Sequence, residues 1–510
     1  MTGGGKTVKM MHRLMALLTI IIMMAGFSSA YAADDGYASS YTYNYDYWGD
    51  IRESPDAYRV ENVLYSSGLG LETAMKKPQS LYVRNNDIYV CDTGNNRIIQ
   101  IRLTGSEYKL VRIIDTIQGA DIATFNTPSD VFVDAEENIY IADTNNGRVV
   151  MVDKDLNFIK EFVKPTDSTY DQSLSFLPNK IVVDVSGRVF ILATNVNKGL
   201  VKFEADTTFT GYVGANKVSY NLAEYIWKMW FSTKEQRAQQ ESFVPTEYCN
   251  IYMDEDSFIY ATNIVFSEYD LLYDVAQPIR RLNGIGNDIL IKNDRYPPIG
   301  ELYWQSEDDV HGPSKLVDIT VLENDIYVAV DRTRGRIFGY DSQGIMLWAF
   351  GTSGNSEGAF NSAIAIDHMG KDLLVLDQQE GNITIFTPTE YGNLIYAASE
   401  DYLKGDYDGS AEKWEEVLKH NANYNLAFIG IGRSLMRQEK YKEAMDYFEM
   451  AHDRDNYGRA FRQYRKIWVE ENIGWMIAVI AALLIIPLII RMVKKTRMEV
   501  EVYERGQIAK

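Results

Sequence analysis

The chain has 510 residues, 46% hydrophobic and 24% charged, an ordinary globular balance that excludes wholesale disorder and collagen-like structure. Lys and Arg number 51 against 71 Asp and Glu, and the resulting net charge of −20 repels a phosphate backbone, which excludes nucleic acid as a partner. Two cysteines, Cys91 and Cys249, are too few for a disulfide framework or a thiolate zinc site, so the fold must rest on its apolar core.

The chain begins with Lys6, Lys9 and Arg13, continues as the apolar run Leu14 to Phe27, and reaches Ala30-Tyr31-Ala32 before Ala33-Asp34-Asp35. Basic, apolar and then small residues in that order read as a secretory signal over residues 1–32, the alternative being an uncleaved anchor. Residues 33–60 hold Tyr41, Tyr43, Tyr45 and Tyr47, one at every second position, followed by Trp48. As a strand this tract presents its rings on one side. It is read as a loose aromatic linker, with a wrapping strand as the alternative and sugar or peptide binding as a further option.

From there the sequence repeats. Pro78 to Arg97 matches Pro128 to Arg148 almost position by position, and a third unit starts at Pro178. Asp92, Asp143 and Thr194 recur at intervals of 51 residues. More divergent units follow, with Thr262, Asp331 and Asp377 at the marked position, which makes six. Each unit alternates short β-rich runs with polar turns, the pattern of four antiparallel strands. Four-stranded sheets repeated radially solve the edge-strand problem by forming a propeller. The Asp-x-x-Asn-x-Arg signature at Asp92 to Arg97 and at Asp143 to Arg148 resembles the NHL-repeat propeller. The run from Phe350 to Asn361 resembles that family's connector between blades. The resemblance covers about residues 61–390 and implies a mainly β, six-bladed NHL-type β-propeller, related to the gluconolactonase-like propellers. Because the signature recurs, its residues are assigned to architecture: Asp accepts turn N–H groups, Asn tolerates left-handed backbone and Arg ties neighbouring turns. Between the third and fourth units, residues 221–242 read as a helical insertion with Leu222, Tyr225, Ile226, Met229 and Trp230 on one face. It is expected on the propeller rim, or as a docking knob for a partner.

After Pro388 the composition turns helical. Tyr407 and Tyr441 lie 34 residues apart in matching contexts, with Ala411 and Ala444, then Trp414 and Phe448, behind them. Residues 391–470 therefore resemble tetratricopeptide repeats, which implies a groove that binds a protein segment, or else a rigid spacer. Ile473 to Ile490 is free of charge and spans roughly 27 Å, close to a hydrocarbon core. Arg491, Lys494, Lys495 and Arg497 follow it and mark 491–510 as a basic cytoplasmic tail. Residues 34–490 then carry 42 basic and 68 acidic groups, −26, on the outer side of a cell membrane, with one span.

Candidate chemistry is sparse. His12 belongs to the signal and His420 and His452 to the helices, which leaves His311 and His368 and argues against a histidine-rich zinc site. A calcium-dependent lactonase of the gluconolactonase type, implied by fold analogy, would need channel carboxylates. Asp134, Asp184, Asp254 and Asp367, at or near the end of the first strand of four units, are its candidates, with turn capping as the other reading. No Gly-x-Ser-x-Gly occurs in the exported region and neither cysteine neighbours a histidine, so both thiols are expected free and buried. No residue is assigned a catalytic or cofactor-binding role, and the metal content stays open. The expected function is a membrane-anchored extracytoplasmic binding or scaffold protein for a protein or glycan, accessory to a transport or envelope complex. The lactonase, with Ca2+, is the alternative.

Overall fold

The structure, a computed structural model, describes residues 42–46, 48–214, 248–265, 276–292, 300–301 and 312–508. The signal-like segment 1–32, Tyr41, Tyr47, the insertion 221–242 and His311 lie outside them.

Three strands come first: β1 (Tyr43–Tyr45), β2 (Ile51–Glu53) and β3 (Tyr58–Tyr65). Blade one is β4–β7 (Ser80–Arg84, Asp87–Asp92, Arg97–Thr104, Glu107–Ile114) and blade two β8–β11 (Pro128–Val133, Ile139–Asp143, Arg148–Val152, Phe158–Val163). Blade three is β12–β15 (Pro178–Val183, Val189–Ala193, Leu200–Phe203, Phe209–Val213), and blade four contributes β16–β18 (Asn250–Met253, Ile259–Thr262, Ile279–Leu282). Blade five is β19–β22 (Leu316–Leu322, Ile326–Asp331, Arg336–Tyr340, Met346–Phe350) and blade six β23–β25 (Ala363–Met369, Asp372–Asp377, Asn382–Pro388). All pairs within the blades are antiparallel, and the first strands β4, β8, β12, β16, β19 and β23 adjoin in a closed ring. The chain is a six-bladed β-propeller.

Ring closure is non-local. Strand β3, from before the first repeat, pairs antiparallel with β25 from Tyr65↔Asn382 to Tyr58↔Pro388 and is the outermost strand of blade six. The last blade is thus stitched from both ends of the propeller sequence, and its edge is covered. Strands β1 and β2 extend blade five beyond β22, so the described part of the tyrosine tract is a wrapping strand and not the loose linker expected. Tyr43 is fully buried there, its hydroxyl donating to Glu301 at 2.5 Å, and Arg334 Nε holds the same carboxylate at 2.8 Å.

Five helices follow: α1 (Glu390–Lys404), α2 (Tyr407–His420), α3 (Asn425–Arg437), α4 (Tyr441–Met450) and α5 (Arg454–Ile508). Thr389 caps α1 through its hydroxyl to the Gly392 N–H, and Asp406 caps α2 to the Gly409 N–H. Ala444 is buried at the helix crossing, as its small size requires, whereas Ala411 is only partly buried. Two glycines complete the packing: a Cβ on Gly430 would lie 2.4 Å from the Trp414 indole, and one on Gly432 2.6 Å from the Phe448 ring.

The helices do not stand off the propeller as a spacer. One core cluster contains Tyr58, Trp348, Phe350 and Phe386 of the blades together with Ile395, Trp414, Ile431 and Phe448 of the helices. Polar contacts seal the same boundary: Tyr58 OH to Tyr396 OH at 2.5 Å, Tyr424 OH to the Leu347 carbonyl at 2.7 Å, and Ser54 Oγ to Tyr391 OH at 3.0 Å. Beyond this flank α5 continues as one helix through the charge-free stretch and contains the one helix among the described residues long and apolar enough to cross a membrane.

Candidate functional site

The signature turns are built alike. The Asp92 carboxylate accepts from Lys76 N (2.7 Å), Asn95 Nδ2 (2.8 Å) and Arg97 Nε (2.7 Å), and Arg97 reaches on to the Thr73 carbonyl. Asp143 repeats this with Asn126 N, Asn146 and Arg148, whose far end bonds the Ile122 carbonyl. Asp331 and Asp377 accept backbone N–H groups from the loops before their blades, at Lys315 and at Asn361 and Ser362. Each aspartate therefore ties an entry loop to its own blade. The left-handed backbone sits at Asn96 and Gly147, one residue beyond the asparagines assigned that role, which act instead as donors.

Of the four channel carboxylates proposed from sequence, three cap hairpins. Asp134 accepts from the N–H groups of Glu136 and Asn138, Asp184 from those of Ser186 and Arg188, and Asp254 from Phe258 N and Arg281. They face the turn between the first two strands of their blades because a carboxylate at that point satisfies N–H groups the hairpin leaves unpaired. Asp367 differs. It accepts from Val83 N of blade one at 2.6 Å and from the Thr320 hydroxyl of blade five at 3.0 Å, and Thr320 Oγ1 also lies 2.7 Å from His368 Nδ1.

A second inner layer was not singled out from sequence: Ser80, Asp130, Lys180, Asn250 and Asp318, one from each of blades one to five. Asp130 accepts from Ser80 Oγ and from Ile181 N (2.7 Å), with Lys180 Nζ at 3.6 Å. Asp318 accepts from Asn250 Nδ2, Ile319 N and Ile366 N. Innermost strands have a free edge facing the axis, and these carboxylates bridge it from blade to blade. Burial pushes Asp130 upward and Asp318 up to about 7. Burial alone would pull Lys180 down, but Asp130 and Asp318 outweigh it and hold its pKa above the usual value. Asp130, Lys180 and Asp318 are each less than a tenth exposed, so this layer is buried between the blades. Among the described residues no three His, Cys, Asp or Glu side chains converge to hold a metal ion.

Both thiols lie within the field of Lys180. Cys91 is buried as expected, whereas Cys249 is partly exposed, its sulfur 3.0 Å from Thr262 Oγ1. Burial pushes Cys91 well up and Cys249 to about 12, leaving almost no thiolate at neutral pH. Ellman's reagent at pH 8 is expected to label neither in the folded chain and both in denaturant; rapid labelling of one thiol in the native state would contradict this packing.

An open cleft lies on the flank. Trp48, Asp46 and Arg52, in and around the N-terminal strand pair, face Ala422 and Asn423 before α3, Asn425 and Phe428 in its first turn, Met450 at the end of α4 and His452 just beyond it. They line a cleft of about 410 Å³, within the range of ligand pockets. Its floor is held by Asp46, which accepts from the Trp48 and Asp50 N–H groups and from Arg52 Nε. Trp48 is 73% exposed, with its indole 6.1 Å from the His452 ring. The cleft joins segments 370 residues or more apart, and no local motif announces it.

An NHL repeat model matches residues 75–101, the stretch that contains the Asp92–Arg97 turn. No curated protein matches the chain. Among solved structures, virginiamycin B lyase from Staphylococcus aureus aligns at 12% identity over 65% of this chain and 99% of its own, with a TM-score of 0.37. A streptogramin B lyase aligns at 12% over 66% and 100%, TM-score 0.40, and Kuenenia stuttgartiensis hydrazine synthase at 10% over 62% and 97%, TM-score 0.37. Such scores transfer no activity. The chain is a six-bladed β-propeller carrying an NHL repeat, with a helical flank packed on blades five and six and an apolar C-terminal helix.

Proposed function

We propose that this protein is a membrane-anchored scaffold, its propeller and tetratricopeptide-like flank outside the cell and its basic tail in the cytoplasm, which holds an extracellular protein segment in the flank cleft. The observation that carries the reading is that cleft: exposed Trp48 and Met450 and half-buried Phe428 supply apolar anchors, and Asn423, Asn425 and His452 supply hydrogen-bonding groups. The buried axial layer supports binding over catalysis, since its polar groups bond one another. The signal-like first 32 residues and the four cations that follow Ile490 support the orientation.

Deleting residues 391–470 is a poor test, because it would strip Tyr58, Trp348 and Phe350 of their cover. Point changes at the cleft are cleaner. Trp48→Ala with Phe428→Ala is expected to lower recovery of a co-purifying partner from solubilised membranes at least tenfold, with thermal unfolding unchanged within about 1 kcal/mol. Undiminished recovery would overturn the assignment. Calcium is expected to leave the unfolding temperature unchanged; a calcium-dependent rise together with lactone hydrolysis lost in Asp367→Asn would install the lactonase instead.

A further inference from the structure

Where blades five, six and one meet, three side chains are joined by hydrogen bonds that leave one ring nitrogen open. Near the end of β23, the Asp367 carboxylate accepts from Val83 N of blade one, from His368 N at 2.8 Å and from the Thr320 hydroxyl of blade five at 3.0 Å. Thr320 Oγ1 lies 2.7 Å from His368 Nδ1, and that nitrogen is 3.4 Å from Asp367 Oδ1. Thr320 is fully buried and Asp367 nearly so, whereas the His368 side chain is 22% exposed. Its Nε2 has no hydrogen-bond partner among the described residues.

Counting protons fixes which nitrogen that is. A threonine hydroxyl has one proton to give, and a carboxylate only accepts. Were the proton given to His368 Nδ1, Thr320 Oγ1 and Asp367 Oδ1 would face each other at 3.0 Å as two bare acceptors. The proton therefore goes to Asp367, and Thr320 accepts from the Nδ1–H of His368. The approach of Nδ1 to the same carboxylate oxygen supports that placement. Neutral His368 then carries its lone pair on Nε2, the reverse of the tautomer that free histidine prefers. Thr320 and Asp367 are positioning residues for it, as the partners of a ligating histidine are.

The surroundings are asymmetric, unlike the signature turns. Two residues beyond the axial layer, the innermost strands of blades one to five carry Tyr82, Phe132, Val182, Tyr252 and Thr320, and blade six carries Asp367. Tyr252 bonds Thr320, and both Tyr82 and Tyr252 lie in the field of Asp367, so the two phenols flank the relay from blades one and four. Tyr82, Phe132 and Tyr252 are only partly buried, and the Tyr82 and Phe132 rings are 5.1 Å apart. An anion is repelled by Asp367, and both Asp367 oxygens are already bonded, which leaves no carboxylate to hold a cation. We infer that His368 Nε2 is a hydrogen-bond and proton acceptor for a small uncharged ligand that joins a hydroxyl to an aromatic body. The site is separate from the flank cleft and independent of the membrane-anchored reading.

The test is imidazole nitrogen NMR on the full chain with isotope-labelled histidine, His368→Gln serving to assign the His368 signals. At pH 8 the parent should show His368 protonated at Nδ1 and bare at Nε2. Thr320→Val should lose that bias and Thr320→Ser should restore it, a response that a hydroxyl filling space alone would not give. Phenol, uncharged at this pH, is the probe. It should shift the Nε2 resonance upfield and saturably in the parent and in Thr320→Ser, benzene should not, and His420 should stay where it is. The same shift is expected in the Trp48→Ala, Phe428→Ala chain, which separates this site from the cleft. A proton on Nε2 in the parent, or a tautomer indifferent to Thr320→Val, would overturn the inference at the relay. A bare Nε2 that ignores phenol, or that answers benzene equally, would overturn it at the ligand.

Discussion

Replacing Trp348 with alanine is expected to destabilise the chain by about 3–5 kcal/mol and to unfold the propeller and the helical flank in one transition. Trp348 lies in β22, is fully buried, and packs its ring 5.0 Å from Tyr58 of the closing strand and 5.4 Å from Phe350. The cluster around it holds blade and helix residues alike, so the cavity opens at the seam between the two parts and not inside either. Trp348→Phe should cost much less, because the indole Nε1 is buried without a hydrogen-bond partner and its loss relieves an unsatisfied donor. Phe162→Ala, in a cluster confined to blades two and three, serves as the contrast: a similar loss at a site with no helix nearby. Thermal unfolding followed by helix-sensitive circular dichroism and by tryptophan fluorescence should give coincident curves for the parent and for Trp348→Ala. Helical signal that survives after the blades have melted would show that the flank folds alone and that the shared core is not cooperative.

The shared core explains what sequence reading reaches and what it misses. The repeat was legible because Asp92 and Asp143 do the same local job in turns of the same construction, and local hydrogen bonding leaves a periodic trace. The closed propeller was read from the repeats, but its closing strand was not, since β3 carries an ordinary alternating strand whose partner lies more than 300 residues away. The docking of the flank left no trace either: Trp414 and Phe448 announced helix pairs, but nothing local in Trp348 or Tyr58 says that their cover is helical. The axial layer was within reach. Ser80, Asp130 and Lys180 recur every 50 residues with a different side chain in each blade, and a column that keeps its place while changing its chemistry marks inter-blade contact. The acidic residues nearer the hairpins, Asp134, Asp184 and Asp254, cap turns, and only Asp367 among the four bonds across to neighbouring blades. The cleft needed both ends of the described chain to be placed before Trp48 met Phe428 and His452.

The folded chain is expected to gain stability as pH falls from 8 to about 5, with Asp318 the main source. Burial raises its carboxyl from an ordinary 3.8 to about 7; Lys180 and the N–H groups of Ile366 and Ile319 oppose that rise, and Asp367 adds to it. Between those values the native state holds a proton that the unfolded chain has released, so the slope of stability against pH is negative there. The contribution is fully present below about pH 4 and is lost as pH rises through 7. Asp130, Asp331 and Asp341, also raised by burial, act with the same sign. Asp153, Asp167 and Asp171 are lowered by turn hydrogen bonds, act with the opposite sign only below the ordinary carboxylate range, and are solvent-screened. The unfolding temperature should therefore climb from pH 8 to 5 and turn over below about 4, an effect on the order of a few kcal/mol. Asp318→Asn should flatten the climb even though an amide facing Ile366 N lowers stability overall, so slope is the quantity to compare. Lys180→Met removes the cation that restrains Asp318 and should move the midpoint of the climb above pH 7. A parent profile that is level from pH 8 to 5, or one whose slope is untouched by Asp318→Asn, would mean that the carboxylate is ionised within the ring and that water reaches the axial layer.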